Sequence, residues 1–89
     1  SSTINLNTSI RPFAPNPTNH TASLSYQLNE EEEAILSIYS IDGQLMERAT
    51  LSDTGVYQVA KNNYPTGLYL YHIRLNGTII HRDKLVFLD

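Results

Sequence analysis

The chain has no cysteine, no tryptophan, one methionine, and only six Lys and Arg among its 89 residues. Without cysteine there are no disulfides, thiolate metal sites or cysteine nucleophiles. The six cations are scattered along the sequence against nine Asp and Glu, for a formal net charge of -3. No basic stripe therefore points to a nucleic acid partner. No apolar run approaches the ~20 residues that a transmembrane helix needs, so no transmembrane segment is expected. The first residues, Ser1-Ser2-Thr3, lack both Met and a positive-then-apolar leader, and the chain reads as a piece of a longer protein. At this length a single domain is expected. A domain this small buries roughly 60–65% of the surface its unfolded chain exposes, which uses most of the apolar residues and leaves little for a deep substrate pocket.

What is present is a two-residue period. Residues 1–10 are mostly Ser, Thr and Asn and read as a linker, with the domain occupying residues 11–89. Pro12, Pro15 and Pro17 predict an extended edge segment followed by a turn, because proline lacks an N–H and biases the residue before it toward extended backbone. From Thr21, Ala22, Leu24, Tyr26 and Leu28 alternate with Thr21, Ser23, Ser25 and Gln27, the pattern of a half-buried strand.

Residues 29–51 admit two readings. As a helix, Asn29 would cap it, Glu30 to Glu32 would suit its positive end, and Ile35, Ile38, Tyr39 and Met46 would form a stripe. As a hairpin, Asp42-Gly43 would be a two-residue turn with both positions at positive φ, flanked by β-branched and aromatic residues. The Asp-Gly corner weighs toward the hairpin. Further on, Leu45 to Leu51, Val56 to Ala60, Leu68 to Leu75 and Thr78 to Leu88 read as strands. Ser52 to Gly55, a type I turn over Tyr64 to Gly67, and a hairpin turn at Asn76-Gly77 separate them. Short strands at such spacing indicate a sandwich or barrel.

Candidate chemistry is thin. The acidic run Glu30 to Glu33 reads as a solvated loop, since contiguous carboxylates splay outward instead of converging on a cation. If Asn76-Gly77 is a strict two-residue turn, His72 stands opposite His81, with Cβ atoms ~5 Å apart. Zinc would need a third ligand, and only Asp83 is near, so an exposed cross-strand pair is the expectation, with no metal and no other cofactor. The same register sets Arg82 opposite Tyr71 and Lys84 opposite Tyr69, with charges on the core face. Either a bulge near Asp83 shifts the pattern, or the cationic stems pack over the rings. Ser, His and Asp occur without a nucleophile elbow, so no catalytic residue is assigned. Tyr26, Tyr69 and Tyr71 are expected in the core, and Tyr64, beside a proline turn, at the surface.

Taken in order, the chain carries Pro15-Asn16-Pro17, Ile38-Tyr39-Ser40-Ile41-Asp42-Gly43-Gln44-Leu45, Pro65-Thr66-Gly67-Leu68-Tyr69, Asn76-Gly77 and Lys84-Leu85-Val86. This set resembles the C-terminal sorting domain of cargo proteins of the bacterial type IX secretion system, over residues 12–89. The resemblance implies an all-β, immunoglobulin-like antiparallel sandwich of about seven strands, and so favours the hairpin for residues 34–51. It implies a non-catalytic export signal, covalently linked to an N-terminal cargo and recognised by the outer-membrane translocon. Removal by a cell-surface sortase would follow. The expected route runs through the periplasm to the outer membrane, cell surface or medium. Carried over by position, Pro65, Gly67 and Tyr69 match the family's turn-and-strand motif, and Gly77 and Lys84 its later Gly-to-Lys motif. Lys84, Leu85, Val86, Phe87 and Leu88 match the terminal strand implicated in recognition. The family often has an aromatic directly before Pro-Asn-Pro; here that place is Ala14, with Phe13 one residue earlier. A fibronectin-like accessory module binding carbohydrate or protein is the alternative with the same fold.

Overall fold

Alternating apolar residues bury one face of each strand, and two such faces close on each other. A computed structural model describes residues 8–89. Among them are seven strands: β1 (Ser9–Ala14), β2 (Thr21–Gln27), β3 (Glu33–Ser40), β4 (Leu45–Ser52), β5 (Thr54–Ala60), β6 (Gly67–Leu75) and β7 (Thr78–Phe87). A single 3₁₀ turn, Lys61–Asn63, joins β5 to β6. Two antiparallel sheets, β1-β2-β5 and β4-β3-β6-β7, stack as an immunoglobulin-like sandwich. Residues 29–51 form no helix; the Glu-rich segment is a short turn before β3. Residues 1–7 of the stretch read as a linker lie outside the described residues, and β1 begins at Ser9.

The core is built from the inward positions. Ala22 and Leu24 of β2, Ala34, Leu36 and Ile38 of β3, Leu51 of β4, Val59 of β5, Tyr69, Tyr71, Ile73 and Leu75 of β6, and Leu85 and Phe87 of β7 are all buried. β1 is an edge strand, as the prolines predict. Its register shifts between Arg11 and Ala14, so a bulge at Pro12-Phe13 turns the Phe13 ring into the core. There it meets Tyr71 edge-on at 4.9 Å. This bulge is how the chain accommodates its aromatic one residue early.

Three corners differ from their sequence readings. The β3–β4 connection is not a two-residue turn with two positive φ values. Gly43 N–H donates to Ser40 O at 3.0 Å, Ser40 N–H donates to Gln44 O at 2.8 Å, and only Gly43, at φ 92°, is left-handed. A three-residue loop ending in a left-handed glycine needs only that one position, and Asp42 instead accepts from the Ser40 hydroxyl. At Ser52 to Gly55 the chain does not turn back in one sheet. It crosses from β4 to β5 in the other sheet at Asp53, which has φ 59° and whose carbonyl accepts from Leu28 N–H at 2.8 Å. Gly55 in β5 makes room for its neighbour, since a Cβ there would lie 2.9 Å from the Tyr26 hydroxyl. Finally, Tyr64 is buried, with 4% exposure, its ring stacked on Phe87 at 5.3 Å and edge-on to Tyr69 at 5.0 Å. The proline turn folds it over the open end of the sandwich.

Phe87 is fully buried and joins this ring cluster to the last strand. Phe87→Ala should lower the unfolding free energy by about 3–5 kcal/mol, read as a lower urea midpoint at unchanged slope.

Candidate functional site

β7 runs along one edge of its sheet, paired on its inner side with β6, from Leu75↔Thr78 to Gly67↔Phe87. An edge strand leaves a row of free N–H and C=O groups. Here that row is covered at its C-terminal end by the proline segment. Thr18 forms a parallel bridge with Phe87: its N–H donates to Val86 O at 3.0 Å, and its carbonyl accepts from Leu88 N–H at 2.8 Å. Two residues earlier the Asn16 carboxamide does the same with its side chain, donating to Lys84 O at 2.7 Å and accepting from Val86 N–H at 3.0 Å. The remaining group, Lys84 N–H, donates to the Asp83 carboxylate at 2.8 Å. The edge is thus closed from residue 84 to 88. Pro15 and Pro17 flank Asn16, both in cis peptide bonds. Thr18 turns its N–H and C=O toward β7, and proline beside it presents no N–H to the solvent side. The alternation of prolines around Asn16 was the only sequence sign of this clip, and Asn16 and Thr18 were missed as partners of the last strand.

The motif residues take two kinds of position. Pro65, Gly67, Tyr69 and Gly77 shape corners. The Tyr69 hydroxyl donates to Pro65 O at 2.6 Å, tying the strand to the turn that starts it, and Gly67 takes φ 155°, which side chains rarely adopt. Asn76 and Gly77 have φ 53° and 82°, the two positive values of a two-residue hairpin turn. Leu85 and Phe87 are core. Lys84 and Leu88 are exposed and Val86 half-buried, all outside the core.

The expected His72–His81 pair does not form. Beyond the tight turn the register slips, with Arg74 opposite Ile79 but Ile73 opposite His81, so Ile80 is a bulge residue. The slip lies at Ile80, not near Asp83. It sends His81 to the core side and leaves His72 on the outer face, opposite Arg82. Arg82 no longer faces Tyr71, nor Lys84 Tyr69; Tyr71 stands opposite Asp83, and Tyr69 opposite Leu85. Both cations reach solvent, as their exposure requires. On the core side the Tyr71 hydroxyl lies 3.1 Å from His81 Nε2 and accepts from Phe13 N–H at 3.4 Å. Burial, with a smaller contribution from the Asp83 charge, pushes that hydroxyl up to about 12. On the outer face His72 stacks on Tyr39 at 5.5 Å. Its pKa is held below 6.5, first by burial and then by Arg74, Arg82 and Arg48 around it.

A second polar cluster, also missed, closes the seam between the sheets. Glu47 of β4 accepts from the hydroxyls of Tyr57 and, at 2.6 Å, Tyr64. Burial and then the Glu47 bond raise both phenols, Tyr57 to about 12. A glutamate in an exposed-looking strand gives no hint of this in sequence. In the acidic run, Glu32 turns back, accepting from Asn29 N–H at 2.9 Å and from the Thr8 hydroxyl at 3.1 Å. Among the described residues no group of three or more His, Cys, Asp or Glu side chains is placed to hold a metal.

Two outcomes follow. Asn16→Ala should cost about 1 kcal/mol, and by hydrogen exchange should deprotect the Val86 amide while sparing that of Leu85, which faces β6. Because the folded pKa of His72 lies below its unfolded value of 6.5, its stabilising contribution is complete above pH 6.5 and declines as pH falls below it. His72→Gln should therefore lose less Tm than the parent between pH 7.5 and pH 5, by thermal denaturation.

No curated protein and no solved structure matches the chain. One family model does, described as a secretion system C-terminal sorting domain, across residues 13–87. That span runs from the core aromatic of β1 to the last residue of β7, and so takes in the clip, both motif corners and the closing strand. The chain belongs to the family of C-terminal sorting domains of the type IX secretion system.

Proposed function

We propose that this domain acts as a folded address, read on the outward residues of its closing strand. The family is that of a C-terminal export signal for type IX secretion and is not known to be catalytic. Membership implies interaction with the type IX machinery, attachment to a cargo, and export to the outer membrane, cell surface or medium. The observation that carries the finer reading is the double closure of β7. With β6 on one side and Asn16 and Thr18 on the other, its backbone from 84 to 88 has no free edge to lend to a partner strand. Recognition through this strand is then recognition of side chains on a rigid support: Lys84, Val86 and Leu88. Pro65, Gly67, Tyr69 and Gly77 act indirectly, by holding that support in shape, and Leu85 and Phe87 by anchoring it. Translocon components are the partner, and a sortase cut N-terminal to Ser9 would release the cargo without touching β1.

Residues 1–89 fused behind a passenger with a periplasmic leader should carry it to the surface or medium in a strain with this system. Passenger held in the periplasm overturns the reading. Deleting residues 84–89 should abolish export; circular dichroism on the purified variant separates lost folding from lost recognition. Lys84→Ala should reduce export with the fold intact.

A further inference from the structure

The two outer faces of the sandwich differ in kind. On the β1-β2-β5 sheet the outward residues include Thr21, Ser23, Ser25, Val56 and Gln58, with Arg11, opposite Ser25, as the one cation. On the β4-β3-β6-β7 sheet the register sets Arg48, Ser37, His72 and Arg82 in one row across all four strands. That row spans roughly 14 Å, three strand spacings of about 4.8 Å. Arg74 and Lys84 flank it on the same side. Four of the six Lys and Arg in the chain are therefore on one face.

The nine acidic residues are elsewhere, with one exception. Glu30, Glu31 and Glu32 lie in the turn before β3, Asp42 at a hairpin tip, and Asp53 at the sheet crossing. Glu47 is held between two tyrosines, Asp83 is exposed at the sheet edge opposite Tyr71 with its carboxylate on Lys84 N–H, and Asp89 lies beyond β7. Glu33, at the first residue of β3, shares the cationic face but stands about 7 Å along the strand from the Ile35–Arg74 row. Among the described residues the one ion pair is Lys61–Asp89, so none of the four cations has a carboxylate partner. Like charges gathered on one face oppose folding, and a chain richer in acid than base has no compositional need for such a cluster.

The same face carries four of the eight exposed large apolar side chains, Ile35, Leu45, Leu68 and Leu70. Between Arg48 and Arg74 lies a depression of about 270 Å³, floored by buried Ser37 and walled by Ile35 and the Tyr39–His72 stack. Arginine with exposed aliphatic and aromatic surface is interface composition. A guanidinium also matches a carboxylate in a planar fork.

We propose that this outer face docks an acidic protein surface of the export machinery, with a partner carboxylate side chain entering the depression between Arg48 and Arg74. The inference rests on the sorting function and extends it, since Lys84 and Val86 of the closing strand border the same face. A concave site favours a protruding side chain over a flat bilayer. Four cations on a chain of net charge -3 are also weak attraction for an anionic membrane.

The test is export of a passenger fused to residues 1–89. Charge reversal at Arg48→Glu, Arg74→Glu and Arg82→Glu together should reduce exported passenger at least about tenfold, with circular dichroism and Tm near the parent. The Arg→Gln triple, made alongside it, should also lose export and serves alone if the reversed variant misfolds. A control adding three carboxylates to the other outer face, Ser23→Glu, Ser25→Glu and Gln58→Glu, lowers net charge by as much as the Arg→Gln triple does and should export normally. Normal export by the reversed variant overturns the docking face and leaves the sorting function standing. Loss in the control equal to that of the Arg→Gln triple also overturns it, as an effect of net charge. A parent fusion that is not exported removes the sorting function, and this inference with it. Two further results would reassign the face. Flotation of the isolated domain with vesicles of 30% anionic lipid, abolished by the reversal, would assign it to membrane. Self-association in sedimentation, abolished likewise, would assign it to a second copy.

Discussion

Everything in this domain converges on how β7 is held. The last strand of a sheet has one natural neighbour, and a short tail with one neighbour frays. Here β6 supplies one ladder, while Asn16 and Thr18, some seventy residues earlier in sequence, supply the other. Beneath the strand, Leu85 and Phe87 are fully buried, and Phe87 lies among the rings of Tyr64 and Tyr69. Three independent constraints meet on a strand of ten residues, so its outward side chains are fixed in space relative to both sheets.

In that arrangement residues dispersed along the chain all bear on the terminal strand. The proline segment closes the edge; the Pro65–Gly67 turn and the Tyr69 hydroxyl bond set where β6 begins; the Asn76-Gly77 corner returns the chain as β7. A change at any of them reaches the terminal strand through backbone geometry.

The charge distribution follows a different logic from the core. Inward positions are nearly all apolar or aromatic, and the polar exceptions are paired: Tyr71 with His81 and Phe13 N–H, and Glu47 with two phenols. Outward positions are free to vary, yet the two faces differ, one carrying Arg11 alone and the other four cations. Arg74, Arg82 and Arg48 stand around His72 on the second face and, after burial, help hold its pKa down. Uncompensated charge of that kind weakens a small domain.

Much of this was legible in the chain itself. The period of two in Ala22-Leu24-Tyr26 and in Tyr69-Tyr71-Ile73-Leu75 determined which faces are buried, because side chains in a strand alternate. Asn76-Gly77 determined a tight hairpin, because both residues tolerate positive φ. The ordered motifs determined the family, and with it the export role. Tertiary structure alone decided the rest. The bulge at Ile80 separates His72 from His81 because it brings Leu85 and Phe87 onto the core face opposite Tyr69 and Gly67, and the sequence, which set charges on that face, asked for a slip without marking its place. Tyr64 is buried because Phe87 and Glu47 come to meet it from distant strands. Asn16 pairs with β7 because the sandwich brings the two ends of the domain side by side. Periodicity and turn chemistry are local and can be read along a line, whereas register slips, ring clusters and edge closure depend on partners that only the packed sheets bring together.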